Sequence, residues 1–328
     1  MSSVNYNFVP DTQSDFLKLL DMQKSNSLIL SFIFLFATER MQAREVSNIT
    51  IFKSEKEITM ENEPTKSVLF FTTGDGCKIA YKHDGDISKP VLVLSNSIAT
   101  DLTMWDGQIK NFTKYFRILR FDTRGNGLSD APVGDYSINR MGMDLLELLD
   151  HLGIEKAHFC GLSLGGFIGQ WLGIHASKRI DKLILANTSP YLGSPIWNEN
   201  IRSLRSNNKI DPFEEMFING WFSNEMIENK KEIVAPFRKM IRNTSPVGLA
   251  GSYASVRDAD FRETNKLIPN MTLIIAGKYD GVTKAEHSEQ INTVIENSKL
   301  VILPVVHLTN IERKDEFEKL VLDFLKGN

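Results

Sequence analysis

The sequence predicts an α/β protein: a mostly parallel, twisted sheet with helices on both faces and a helical cap insertion. Three observations carry this. Short continuous apolar runs recur along the chain, among them Val91-Leu-Val-Leu94 and Met271-Thr-Leu-Ile-Ile-Ala276, as strands buried on both faces require. Segments with helical apolar spacing separate them, which argues for crossover connections and parallel pairing. One long stretch, from about Ser189 to Arg262, has no strand-like run.

The elements follow in order. The stretches at 68–72 and 78–81 flank Gly74-Asp75-Gly76 and read as a hairpin, with glycine free to supply positive φ in the turn. Strands are then expected at 91–94, 118–121, 157–160, 182–186, 271–276 and 299–303. Helices are expected at 138–152, where Met141, Leu145, Leu148 and Leu149 share a face, at 165–176, near 284–296 and at 313–326. The core thus spans 66–188 and 263–328. The stretch 189–262 carries Trp197, Phe213, Met216, Trp221 and Phe222 at helical spacings. It reads as a cap over the carboxyl ends of the strands, where open α/β sheets bind ligands.

Residues 1–65 stand apart as an extension. The apolar run at 28–37 is shorter than the roughly 20 residues a membrane-spanning helix needs. Read from Met22, residues 22–43 have the order of a signal peptide; read from Met1, Asp11, Asp15 and Asp21 precede the run and spoil it. The expectation is a dispensable extension on a cytoplasmic protein, with a periplasmic location as the alternative if 22–43 act as a signal. No stable membrane association is expected. The sequon Asn48-Ile49-Thr50 matters only on a eukaryotic secretory route.

A chain of 328 residues, 42% hydrophobic, is ample for a packed core. A net charge of −3 gives no footprint for nucleic acid, while leaving room for a small anionic substrate in a locally basic pocket. Cys77 and Cys160 are too few for a metal cage. Cys160, in a strand that reads as buried, is expected to pack as a small apolar residue. There is no HExxH, no Walker A sequence and no G-x-G-x-x-G. Oligomeric state is not legible, and a homo-oligomer is compatible with everything above.

The chemistry-bearing motif is Gly161-Leu162-Ser163-Leu164-Gly165, a G-x-S-x-G. It lies directly after one expected strand and before one expected helix, the context such a nucleophile turn requires. The turn is strained, so its neighbours two before and two after must be very small. A serine hydroxyl is a weak nucleophile and needs a base held by an acid. In this architecture the chain order is serine, acid, histidine. Asp280 is the first acid after the strand at 271–276, and His307 follows the strand at 299–303. His287 is the rival base, inside an expected helix. The oxyanion hole should use the backbone N–H groups of Leu164 and of Ile98, in the loop after an early strand.

The chain from about 68 to 326 resembles the α/β-hydrolase superfamily, and within it the 3-oxoadipate enol-lactonase group. The resemblance rests on Val91-Leu-Val-Leu-Ser-Asn-Ser97, Met104-Trp105-Asp106, Arg120-Phe-Asp-Thr-Arg-Gly125, Asp150-His-Leu-Gly-Ile-Glu155, His158-Phe-Cys-Gly-Leu-Ser-Leu-Gly-Gly166, Ile168-Gly-Gln-Trp171 and His307-Leu-Thr-Asn310. Two positions depart from the family pattern: Ala99 stands where glycine is usual, and Asn126 where histidine is usual. The resemblance implies a Ser-His-Asp hydrolase that opens 3-oxoadipate enol-lactone to 3-oxoadipate, in aromatic catabolism through the β-ketoadipate pathway, with no metal or organic cofactor. That small anionic lactone would need a cation. Arg124 is the first candidate, beside its alternative as an ion pair near Asp122; Arg202, Arg205, Arg257 and Arg262 in the cap are others. Asn96, Trp105 and Trp221 complete the candidate substrate contacts. A general carboxylesterase, a thioesterase or a carbon–carbon bond hydrolase would share the triad. A non-catalytic binding protein of the hormone-receptor kind could also retain it.

Overall fold

The computed structural model describes residues 67–193 and 195–327. The extension at 1–65, the signal-like stretch at 22–43 and the sequon at Asn48 lie outside them. The expected strands form β1 (Leu69–Thr72), β2 (Lys78–Asp84), β3 (Val91–Ser95), β4 (Arg117–Phe121), β5 (Ala157–Leu162), β6 (Ile180–Ala186), β7 (Thr272–Gly277) and β8 (Ser298–Leu303). They make one sheet in the order β1-β2-β4-β3-β5-β6-β7-β8. β1 and β2 pair antiparallel through a turn with Gly76 at φ 87°, and β2 runs antiparallel to β4. From β4 to β8 every pairing is parallel.

Chain order reverses at β3, which has β4 on one side and β5 on the other. Connections leaving β3 and β5 therefore part to opposite faces. The crevice this opens at their carboxyl ends is where ligands bind in such sheets. Ile98 follows β3 and Ser163 follows β5, so both fall at this point.

In the core lie α1 (Asp106–Phe112), α2 (Ile138–His151), α3 (Leu164–His175), α9 (Ala285–Val294), α10 (Thr309–Glu312) and α11 (Lys314–Lys326). α2 starts where the Ser137 hydroxyl accepts from the N–H of Arg140, and it buries Met141, Leu145, Leu148 and Leu149. α3 is buried all round from Leu164 to Gly173, as a helix under other helices must be. Between β6 and β7 the chain forms α4 (Ile196–Asn207), α5 (Asp211–Trp221), α6 (Asn224–Asn229), α7 (Lys231–Asn243) and α8 (Pro246–Asp258). A 3-10 turn over Leu102–Trp105 and the short α1 after it are elements the apolar spacing did not announce.

Cys77 and Cys160 are free thiols, both buried. Burial pushes the Cys77 thiol up to about 11 and the Cys160 thiol further. Among the described residues, no helix is long and apolar enough to cross a membrane.

Candidate active site

Ser163 joins β5 to α3 with φ 58° and ψ −113°. A non-glycine residue held there stores on the order of 1–3 kcal/mol of strain, so the surroundings must impose it. The Ser163 N–H donates to the Ala186 carbonyl at 2.9 Å, the Thr188 hydroxyl donates to the Ser163 carbonyl at 2.9 Å, and the Gly165 N–H donates to the Asn96 carbonyl at 3.0 Å. The flanking glycines follow from space. A Cβ on Gly161 would sit 2.1 Å from the Gly165 carbonyl oxygen, and one on Gly165 would sit 2.3 Å from the Ser95 carbonyl oxygen.

His307, in the loop after β8, has Nδ1 2.8 Å from Asp280 Oδ2. A carboxylate only accepts, so Nδ1 carries the proton and Nε2 is left as the acceptor. Nε2 is buried and has no partner among the described residues. Ser163 and His307 line the same cavity.

Asp280 follows β7 and is enclosed by donors. The N–H groups of Val282 and Thr283 reach Oδ1 at 2.8 and 2.9 Å; the Thr283 hydroxyl and the Asn187 amide reach Oδ2 at 2.8 and 3.1 Å. Burial alone would push this carboxyl up. The charge and hydrogen bond of His307, with the bonds from Thr283 and Asn187, outweigh it and hold Asp280 below the usual carboxylate range. Asn187, at φ 42°, also donates to the Val306 carbonyl at 3.3 Å and accepts from the Thr309 hydroxyl. One buried amide thus ties the acid to both flanks of the histidine. Asn187 and Thr283 were not singled out from sequence; a polar pair at the carboxyl end of β6, Asn187-Thr188, was the available signal.

The N–H groups of Ile98 and Leu164 donate to no acceptor among the described residues, and both residues line the cavity. Next to Ile98, Ala99 sits at φ 55°, in the backbone region where glycine is at ease and alanine is strained. Its N–H donates to Asn126 Oδ1 at 2.9 Å. The Asn126 amide nitrogen is itself anchored on the Thr123 hydroxyl at 2.9 Å and the Arg124 carbonyl at 3.3 Å. The two departures from the family pattern therefore touch one another.

The cavity holds about 190 Å³. Its floor is Ile98, Ser163, Leu164 and His307; Trp197, Met216, Phe217, Trp221 and Tyr253 line it from the cap. The Trp221 carbonyl also accepts the N–H groups of His307 and Leu308, each at 3.3 Å, so the end of α5 braces the histidine loop.

Three expected substrate contacts are engaged elsewhere and do not line this cavity. Trp105 is fully buried, donates Nε1–H to Asn96 Oδ1 at 2.9 Å and packs on Phe317. Asn96 donates its amide to the Phe121 carbonyl at 3.2 Å, bracing the loop from behind. Arg124 is clamped by Asp144 at 2.6 Å and Asp75 at 2.9 Å, so the expected ion pair exists with other partners than Asp122. His287 lies in α9 and is likewise not among the lining residues.

Residues 90–314 match the family model described as the alpha/beta hydrolase fold. The chain belongs to this family. A 3-oxoadipate enol-lactonase of Acinetobacter baylyi is 34% identical over 255 residues, covering 77% of this chain and 95% of the relative. Among α/β-hydrolase structures, one of a hydrolase from Pseudomonas aeruginosa PA01 is 46% identical with a TM-score of 0.78, covering 80% of this chain and 99% of its own. That of the enol-lactonase from Burkholderia xenovorans LB400 is 34% identical with a TM-score of 0.76, covering 79% of this chain and all of its own, 100%.

Proposed function

We propose that this α/β hydrolase cleaves a carboxylic ester or lactone by nucleophilic catalysis at Ser163. The observation that carries the reading is His307, held by Asp280 through Nδ1 while its unpartnered Nε2 belongs to a residue of the cavity that Ser163 lines. Nε2 takes the serine proton as Oγ attacks the carbonyl carbon. The N–H groups of Ile98 and Leu164 receive the developing oxyanion. Collapse expels the alkoxide or enolate, protonated by the imidazolium; an enolate is a weak base and needs little such help. Water, deprotonated by His307, then frees the acid and restores the serine. Asp280 stays ionised throughout, stabilising the imidazolium.

Two finer readings divide the substrate. The names of the Acinetobacter and Burkholderia relatives favour 3-oxoadipate enol-lactone, and with it the β-ketoadipate pathway. The apolar cavity favours a small uncharged ester or lactone. Steady-state kinetics on 3-oxoadipate enol-lactone and on short 4-nitrophenyl esters, wild type beside Ser163→Ala, separates them. Labelling by a fluorophosphonate, lost in Ser163→Ala, tests the shared chemistry. An unlabelled wild-type enzyme with no turnover of either substrate defeats the hydrolase reading.

A further inference from the structure

We infer that the cavity over Ser163 selects a substrate whose buried portion is uncharged and apolar, an aliphatic ester or plain lactone rather than a carboxylate-bearing one. This rests on the ester-hydrolase reading above and narrows it to a substrate class.

The charge arrangement carries the inference. Among the described residues, the cavity's lining contains no Asp, Glu, Lys or Arg, and its titratable side chains are those of His307 and Tyr253. Every arginine that sequence offered as a carboxylate partner is absent from that lining. Arg124 is held by Asp144 and Asp75, Arg205 by Asp135, Arg257 by Asp135 at 3.0 Å and Asp258 at 2.7 Å. Arg262 pairs with Asp260 at 2.6 Å and stacks 4.0 Å from the Tyr191 ring centre, and Arg202 is exposed. A carboxylate carried into this space would lose its water and gain no countercharge, which is strongly unfavourable. An alkyl chain or ring loses nothing polar there and gains apolar contact.

The cap also adds two uncharged polar residues to the lining, Asn200 and Tyr253. Tyr253 in α8 is buried and lines the cavity. Its ring lies 5.0 Å from that of Trp197 and 6.3 Å from that of Phe217, and its hydroxyl has no hydrogen-bond partner among the described residues. Burial pushes this phenol well above its ordinary value, so it stays uncharged.

The test is a matched pair of esters, 4-nitrophenyl hexanoate and 4-nitrophenyl monoadipate, equal in chain length and differing in a terminal carboxylate. At pH 7 the enzyme is expected to prefer the hexanoate in kcat/KM by about 30-fold or more, the scale set by an unpaired carboxylate in apolar surroundings. Met216, half exposed on the cavity wall, gives a second arm: Met216→Arg should narrow the gap at least ~fivefold by raising monoadipate turnover. Equal or faster turnover of the monoadipate by the wild type overturns the inference, as does efficient opening of 3-oxoadipate enol-lactone. So does failure on both esters while the fluorophosphonate still labels Ser163; in each of those cases the hydrolase reading survives. Loss of labelling removes that reading, and the inference with it.

Discussion

The two walls of the cavity are built on different principles. The floor, from the core, is strained and fixed by directional bonds: Ser163, and Ala99 next to Ile98, are held at positive φ, and Asp280, behind His307, accepts from five groups, His307 included. The roof, from the cap, is aromatic packing. Phe217 lies 4.9 Å from Trp221, and Trp197 lies 5.0 Å from Tyr253. Hydrogen bonds specify one arrangement, whereas apolar contacts accept several at similar free energy. The floor is therefore expected to set the reaction and the roof the choice of substrate, so changes in the two walls should differ in kind as well as in size.

The largest expected effect is on the floor. Ser163→Ala should lower kcat by at least ~10⁴-fold, and Asp280→Asn by about 10⁴-fold, with circular dichroism unchanged. Ester turnover by Ser163→Ala within tenfold of wild type would place the chemistry elsewhere. Asn126→Ala, which frees the Ala99 N–H, should lower kcat about 10- to 100-fold at nearly constant KM, because it loosens the Ile98 donor and leaves the pocket alone. Asn126→His, which restores the residue that the resemblance leads one to expect there, should recover part of that loss. A change in KM alone would assign Asn126 to packing. On the roof, Phe217→Leu should alter KM for long acyl chains about threefold and leave kcat on a short ester almost untouched. A matching fall in kcat would show that the two walls are not separable.

The same comparison has a pH counterpart. Three histidines outside the triad, namely His83, His158 and His287, are disfavoured as cations by the fold. Burial, reinforced by Arg117, pushes His83 down to about 4, and burial lowers His158 and His287. A histidine with a lowered folded value binds its proton more readily when unfolded. Its contribution to stability is complete above its ordinary value of 6.5 and is lost as pH falls from there towards 4. Urea midpoints should decline across that window, His83 accounting for as much as ~3 kcal/mol, and His83→Gln should flatten the decline. A midpoint independent of pH between 6.5 and 4 would rule this out.

Much of the floor was legible because its signals are local or ordered. Gly161 and Gly165 bracket Ser163 within one turn, and the sequence of serine, acid and histidine follows strand ends that apolar runs mark. The polar braces were not legible. Nothing near Arg124 reveals that its partners stand at Asp144 and Asp75, 20 and 49 residues away, so an isolated arginine passed for a ligand contact. Trp105 read as a pocket aromatic because its hydrogen bond to Asn96 depends on how the loop after β3 folds back. Asn187 and Asn126 look like ordinary loop residues until the folded chain sets their amides on backbone groups. The 3-10 turn at Leu102–Trp105 escaped because its start is a side-chain cap, Asp101 accepting from the Thr103 N–H, rather than an apolar period. Trp221, by contrast, was placed on the cavity by its position in the cap stretch, although its carbonyl's hold on His307 could not have been foreseen.

The two sulfhydryls of this hydrolase have a practical consequence. Cys160 lies inside β5, shortly before Ser163, and Cys77 in the turn of the opening hairpin, both buried, and alkylating reagents act on exposed thiolates. In the native protein both should resist iodoacetamide, and each should be modified only when its surroundings open, β5 for Cys160 and the turn between β1 and β2 for Cys77. The rate of mass gain at Cys77 against Cys160 would then time the detachment of the sheet's antiparallel edge separately from collapse of its centre, with no introduced probe.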